Sequence, residues 1–390
     1  MIYLDFAAAT PISEKAFEAM KPYFTDSFFN PSAPYLAAKK VREAYEDAKD
    51  ELAHTIGAKG ADLVITAGAT ESVNLAFSTN TGKVLYLATE HAAVRECAKQ
   101  FSHEEIAVDK TGLIDLKDLK RKISSNVTMV SVALANNELG TIQPMSEIAE
   151  IIREERQKRL AHGDKTPIYL HSDASQAMSL IDINVKRLGV DLLTLNSAKV
   201  YGPKGIGALY IAHGIKLSPI VYGGGQERGL RSGTENVPLL IGFSKAAVVA
   251  KEHINGNRKK YEKLNVMLRD EFRKAKITPI FLGNKKHSLA NFCTVSFPGI
   301  DAERLIYMLE DQEIYVSTGA ACAASKGEKS HVLAAIGLSD TEIAGSIRIT
   351  MGMLNDEEQI CTAGKAIVAA VNAEAERVGI IKQDSEGENE

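Results

Sequence analysis

Short apolar, β-branched runs alternate with long amphipathic stretches through most of the chain, and this alternation limits the fold more than any other feature. Residues 62–66, 83–88, 128–133, 168–171, 192–195 and 208–211 read as strands. Residues 37–56, 72–78, 116–123 and 148–159 carry a helical period. Strands separated by helices of this length predict an α/β fold with a mostly parallel sheet, because parallel neighbours need a crossover. After about residue 255 the texture changes. A charged helix over 258–275 leads into a strand over 291–297, a helix over 301–312, a segment around Cys322, and a closing helix over 356–378. The expected division is therefore a large domain over 15–255 and a smaller α+β domain built from 1–14 and 256–380. The polar stretch His253-Ile254-Asn255-Gly256-Asn257 marks the boundary. Residues 381–390 are acidic and almost without apolar side chains, which predicts a disordered tail.

At 390 residues the chain can bury a large core. A net charge of only −4 gives nothing to draw it to nucleic acid or anionic lipid. No apolar run approaches the ~20 residues that span a bilayer. The opening Met-Ile-Tyr-Leu-Asp-Phe has an acid at position 5 and no basic region, so it does not read as a signal peptide. The four cysteines, Cys97, Cys293, Cys322 and Cys361, form no C-x-x-C pair, which argues against a zinc site or a disulfide framework. A reduced, cytoplasmic setting is expected.

Four segments could carry chemistry. Cys322 lies among Gly, Ala, Ser and Thr, followed by Lys326-Gly327-Glu328-Lys329. Such neighbours bury a thiol poorly and suit a reactive sulfur on an accessible loop, with the two lysines favouring thiolate; an unimportant surface cysteine would look the same. Residues 62–72 run from a strand through Ala67-Gly68-Ala69-Thr70 into a helix, which offers backbone N–H groups and the Thr70 hydroxyl to a phosphate, or plain helix capping. Asp173 follows a central strand, where α/β sheets place ligands, although it could simply cap the next helix. Lys199 comes 26 positions later (199 − 173), again past a strand, in a small and glycine-rich setting unlike that of a surface charge. An aspartate beside a pyridine nitrogen and a lysine holding an aldehyde are the two requirements of pyridoxal chemistry.

With these residues in place, the chain resembles the cysteine desulfurases, pyridoxal-phosphate enzymes of the class V aminotransferase group, from its first strand to about residue 355. The resemblance rests on Tyr3-Leu4-Asp5-Phe6-Ala7-Ala8-Ala9-Thr10-Pro11, Asn30-Pro31-Ser32, Gly68-Ala69-Thr70-Glu71-Ser72, Thr89-Glu90-His91 and Asn136-Asn137-Glu138-Leu139-Gly140. It continues through Asp173-Ala174-Ser175-Gln176, Lys199 with Tyr201-Gly202-Pro203-Lys204-Gly205, the glycine-rich 223–234 segment, Cys322, and Ser346-Ile347-Arg348-Ile349-Thr350-Met351-Gly352. It implies a fold-type I pyridoxal-phosphate transferase that takes sulfur from L-cysteine, leaves L-alanine and carries the sulfur as a persulfide on Cys322. By the same resemblance Lys199 holds the pyridoxal 5'-phosphate aldehyde, Asp173 faces its ring nitrogen, and His91 stacks on the ring as an acid/base. Ala69 and Thr70 hold the phosphate, Gln176 and Asn137 lie near the ring oxygen and the substrate, and Asn196 stands near the phosphate. Thr234 reaches the phosphate of a neighbouring subunit, which implies a homodimer. Arg348 and Asn30 clamp the substrate carboxylate.

The spacing from Cys322 to Ser330-His331 resembles the group with a long, mobile cysteine loop that serves separate acceptor proteins, such as an iron–sulfur scaffold or a tRNA-thiolation relay. A selenocysteine lyase or another class V lyase or transaminase is the alternative within the same fold. The chain departs from the family beside Lys199, with Asn196 where a serine is usual and Ala198 where a histidine is usual. It departs again after Asn30-Pro31-Ser32, where Pro34-Tyr35 follow. Residues 153–165 are long and charged and read as a solvated surface insertion.

Overall fold

Six neighbouring strands without an exposed residue set the architecture. The computed structural model describes residues 1–318 and 329–381; Cys322 and the acidic tail lie outside the described residues. In chain order the strands are β1 (Ile2–Tyr3), β2 (Leu63–Thr66), β3 (Lys83–Leu87), β4 (His103–Ile106), β5 (Val127–Ser131) and β6 (Tyr169–Asp173). They continue with β7 (Leu192–Asn196), β8 (Gly207–Ile211), β9 (Ile280–Phe281), β10 (Phe292–Ser296), β11 (Ile314–Tyr315) and β12 (Ser346–Thr350). Seven form one sheet in the order β2-β8-β7-β6-β5-β3-β4. From β7 to β4 all pairings are parallel, while β8 runs antiparallel to both β7 and β2. Strands such as Leu63-Val64-Ile65-Thr66 and Val127-Thr128-Met129-Val130-Ser131 are buried along their whole length, as parallel strands covered on both faces must be.

The sequence reading finds six of these seven strands and misses β4. Its His103-Glu104-Glu105-Ile106 has no apolar pattern because it is the sheet edge, where charge is tolerated. Lys83 on β3 pairs with Glu104, and Tyr86 Oη donates to Glu105 at 3.0 Å, so cross-strand polar contacts hold it.

Residues 153–165 are mostly exposed, as expected, but they are not a loose insertion. The helix Met145–Ala161 runs through them, and Arg159 is buried, donating to the carbonyls of Ser124 (2.8 Å) and Thr166 (3.3 Å) and to Glu155 (2.8 Å). Arg156 donates to the Ile168 carbonyl at 3.0 Å and pairs with Asp191. Charge read from sequence alone overlooks that a long arginine can bury its stem and spend its head on carbonyls.

The stretch His253–Asn257 is helical rather than a linker. One helix spans Val237–Phe272, started by Asn236, whose side chain accepts from Leu239 N at 3.3 Å, and by Pro238 in its first turn. Its first half places Leu240, Phe243 and Ala247 in the core around the seven-stranded sheet. Its second half places Tyr261, Leu264, Leu268 and Phe272 in a second core with Cys293, Val295, Ile347, Ile349 and Ile367. Packing at both ends carries the helix through a stretch whose own propensity is poor.

The second core surrounds an antiparallel sheet, β12-β10-β9, and the closing helix Glu357–Arg377. The N-terminal segment crosses between the two cores: Ile2 and Tyr3 pair with β11, Ala7 N donates to Thr350 Oγ1 at 2.9 Å, and Thr10 N donates to the Ala198 carbonyl at 3.1 Å.

Candidate active site

The carboxyl ends of β3, β5, β6 and β7 open on one side of the sheet, and most of the expected site residues stand there. Asp173 is the last residue of β6 and is nearly buried; its Oδ1 accepts from Ser175 N at 2.8 Å, a local turn rather than a helix cap. The end of β7 passes through Asn196 into the short turn Ser197–Lys199. The Asn196 side chain accepts from Ala198 N at 3.2 Å and so shapes that turn.

Lys199 points inward onto the N-terminal segment. Its Nζ donates to the carbonyls of Ala7 (2.8 Å) and Ala8 (2.5 Å), and Gln176 Nε2 donates to the same Ala7 carbonyl at 3.0 Å. The first strand's sequel is thus part of the site floor, a role the periodicity of 3–11 did not announce.

His91 follows β3 and starts the helix Ala92–Ala98, its Nδ1 accepting from Ala93 N at 3.1 Å. That bond leaves Nε2 to carry the proton of the neutral ring. Burial lowers the His91 pKa, Asp173 opposes the shift and Lys199 adds to it. The imidazole is neutral at physiological pH and feels both charged groups.

Two neighbouring carboxyl groups were not singled out from sequence. Glu90 is fully buried and accepts from Ala133 N at 2.5 Å; burial, aided by Asp173, raises its pKa well above the carboxylate range. Glu138 is also buried and raised, and the Ser330 bond and Arg348 charge pull it back. Each adjoins a residue that was selected, His91 and Asn137, and an acid inside an otherwise uncharged motif was the available signal. Beneath them, His171 lies between Ser131 Oγ (2.8 Å) and Thr194 Oγ1 (2.9 Å), and burial lowers its pKa to about 4.

At the other end Arg348, buried on β12, pairs with Asp5 at 2.6 Å and donates from Nη1 to the Asn137 carbonyl at 2.9 Å. Both nitrogens carry two N–H groups in a fixed plane, the geometry that reads a carboxylate. Asn30 belongs to a different neighbourhood: it is exposed, and its Oδ1 accepts from Ser32 N at 2.9 Å. Arg42 ties that loop, through Pro31 O at 3.4 Å, to Glu235 at 2.6 Å, beside the exposed Thr234. Thr234 lines a cavity of about 250 Å³ with Thr66, Ala67, Arg231 and Gly233.

The helix Ala69–Phe77 begins at Gly68, which has φ 150°, with no side-chain cap. Thr70 is exposed there, and its hydroxyl is not used for capping; Glu71 instead accepts from Ala67 N at 2.9 Å. Nothing lies within 4 Å of where a Gly68 Cβ would stand, so the space beside the start of this helix is open. The hydroxyls of Ser175 and Ser197, beside Asp173 and Lys199, are buried with no partner among the described residues. An anion cradle, a carboxylate at a strand end, an inward lysine and unspent hydroxyls form a donor set that fits a phosphorylated pyridine aldehyde.

Comparison with known proteins agrees with this geometry. The aminotransferase class-V family model matches residues 2–362. The chain is 39% identical over 373 residues to cysteine desulfurase IscS 1 of Archaeoglobus fulgidus, covering 92% of this chain and 94% of that protein. It is 38% identical over 371 residues to cysteine desulfurase IscS of Methanosarcina thermophila, covering 92% and 89%. Among solved structures, a NifS-like protein superposes with a TM-score of 0.86 at 29% identity over 95% of this chain and 99% of that one. SspA in complex with cysteine superposes at 0.76 with 32% identity, over 90% and 99%. The chain belongs to the aminotransferase class-V family, within its pyridoxal-phosphate-dependent cysteine desulfurases.

Proposed function

We propose that this protein removes sulfur from L-cysteine to give L-alanine, with Cys322 receiving the sulfur. The observation that carries the reading is the meeting of Lys199, His91 and Asp173 at the carboxyl ends of neighbouring strands, with an arginine fork on the far side. Pyridoxal phosphate, when bound, supplies an electron sink for negative charge next to the substrate amine. Asp173 would hold a proton on the ring nitrogen, Lys199 the aldehyde, and Ala69 and Thr70 with the helix N-terminus the phosphate, with Asn196 close by. Lys199 would also move the Cα proton of the substrate. His91 holds a proton on Nε2 for the same face. Gln176 and Asn137 would orient the ring oxygen and the substrate, while Arg348 would take its carboxylate; Asn30 stands apart from this group, on the loop tied to Glu235.

The Cys322 thiolate attacks the substrate sulfur: an S–S bond forms, the C–S bond breaks, and its electron pair stays on carbon. That carbon takes a proton and becomes the alanine methyl. The protein thiol is oxidised to a persulfide as the substrate carbon is reduced, so no outside oxidant enters.

We read 15–255 as the cofactor domain and 1–14 with 256–380 as the smaller one, a division supported by the two separate cores. We also read the protein as a cytoplasmic homodimer that serves an iron–sulfur scaffold or similar acceptor. Exposed Phe24, Phe28, Tyr35 and Leu36, with Tyr222 just before the glycine-rich segment, support self-association. Incubation with L-cysteine and a reductant should yield alanine and sulfide in equal amounts, and Lys199→Ala should abolish both together with the visible band of bound cofactor. Turnover surviving in that variant would refute the assignment. Release of selenium from selenocysteine but no sulfide from cysteine would favour a selenocysteine lyase.

A further inference from the structure

Behind Cys322 the described chain resumes at Lys329, which pairs with Asp340 at 2.7 Å, and the next two side chains, Ser330 and His331, are spent on the site wall. Ser330, eight positions on (330 − 322), donates from Oγ to Glu138 Oε2 at 2.5 Å, and both residues are buried. The same oxygen accepts from Leu333 N at 3.1 Å and so starts the helix His331–Ala335. His331 donates from Nε2 to the Glu90 carbonyl at 2.9 Å. Both acceptors adjoin residues assigned to the site, Glu138 next to Asn137 and Glu90 next to His91. Glu138 is itself fixed: its carbonyl accepts from Thr294 Oγ1 at 2.5 Å, its N donates to Asn136 Oδ1 at 2.8 Å, and the Arg348 charge acts on its carboxyl group. Val332 and Leu333 pack on Leu139 and Leu282, so the anchor is apolar as well as polar.

We propose that Glu138 and Ser330 are a positioning pair that holds the chain behind Cys322 against the loop carrying Asn137, which Arg348 on β12 also contacts, so that sulfur transfer to Cys322 depends on it while cofactor holding does not. The proposal rests on the reading that Cys322 receives the sulfur. Eight residues can reach at most about 29 Å when fully extended. Loss of the pair would untie the chain behind Cys322 from the site wall at Ser330, and sulfur transfer should slow with it.

The test uses cofactor-loaded wild type, Ser330→Ala, Glu138→Ala, the double variant and Ser330→Thr. Each is read by the visible band of bound cofactor, single-turnover persulfide on the Cys322 peptide by mass spectrometry, and hydrogen exchange over 331–336. All should keep the band. Each single alanine variant should form persulfide about ten-fold or more slowly and exchange faster over 331–336. The double should be no slower than the slower single, since both remove one bond. Ser330→Thr, which keeps the hydroxyl, should stay near wild type. Wild-type rates in the singles, multiplicative losses in the double, no rescue by threonine, or loss of the band would overturn the pair. Persulfide on another cysteine in wild type is a separate result; it would overturn the Cys322 reading and this proposal with it.

Discussion

The Ala198 side chain has no hydrogen to give where the resemblance expects a histidine, and Asn196 already spends its carbonyl oxygen on Ala198 N. A hydrogen bond to a charged group is worth about 1.5–3 kcal/mol, so Ala198→His should tighten pyridoxal phosphate about ten-fold or more, measured by reconstitution after dialysis. Unchanged affinity would mean that the Asn196 amide already serves the phosphate. Cys322→Ser should bind cofactor and substrate normally yet form no persulfide; Cys97 and Cys293 are buried thiols whose pKa values burial pushes to about 11, unsuited to attack. His171 sets a stability slope. Its folded pKa of about 4 lies below the ordinary 6.5, so the unfolded chain binds the extra proton as pH falls. Its contribution is whole above 6.5 and lost between 6.5 and 4, worth about 3 kcal/mol. Urea titrations across that range should show His171→Gln with a shallower slope than wild type; equal slopes would refute the burial argument.

At the scale of elements, the 223–234 segment hangs on one acid. Tyr45 Oη, Lys49 Nζ and Ile65 N donate to Glu227 at 2.5, 2.8 and 2.9 Å, and Glu227 and Arg228 both hold positive φ, at 49° and 60°. Such backbone persists only where surroundings over-determine it. Lys49→Met leaves a buried carboxylate unpaired and should cost about 3–5 kcal/mol in chemical denaturation. It should also loosen the segment that carries Thr234, seen as faster exchange over 228–234. A loss below about 1 kcal/mol would show that Tyr45 and Ile65 suffice.

For the whole molecule, exposed aromatic residues gather on the loop before the helix Leu36–Thr55. Phe28 and Phe29 stack at 4.7 Å, Phe29 meets Tyr35 edge-on at 5.9 Å, and Arg42 links the neighbouring loop to Glu235. Sedimentation should give twice the chain mass, and Phe28→Asp with Tyr222→Asp should shift it to the single chain while lowering cofactor affinity, since Thr234 would then lack a partner's phosphate. A monomeric wild type with full affinity would refute both.

The sequence alone determined the α/β class, most strands of the main sheet to within a residue or two, and the positions of Asp173, Lys199 and His91. Buried parallel strands must be apolar throughout, and small-residue turns after them are local chemistry. The edge strand β4, the unbroken helix Val237–Phe272 and the burial of Arg159 were decided by neighbours far along the chain. So was the use of Ala7 as a shared acceptor for Lys199 and Gln176, and of Glu90 and Glu138 as anchors for His331 and Ser330. These are contacts between residues 169 to 241 positions apart, and no local pattern encodes them. They exist because the sheet brings its strand ends, the N-terminal segment and the chain behind Cys322 to one place, where a buried donor or acceptor must find whatever partner lies within reach.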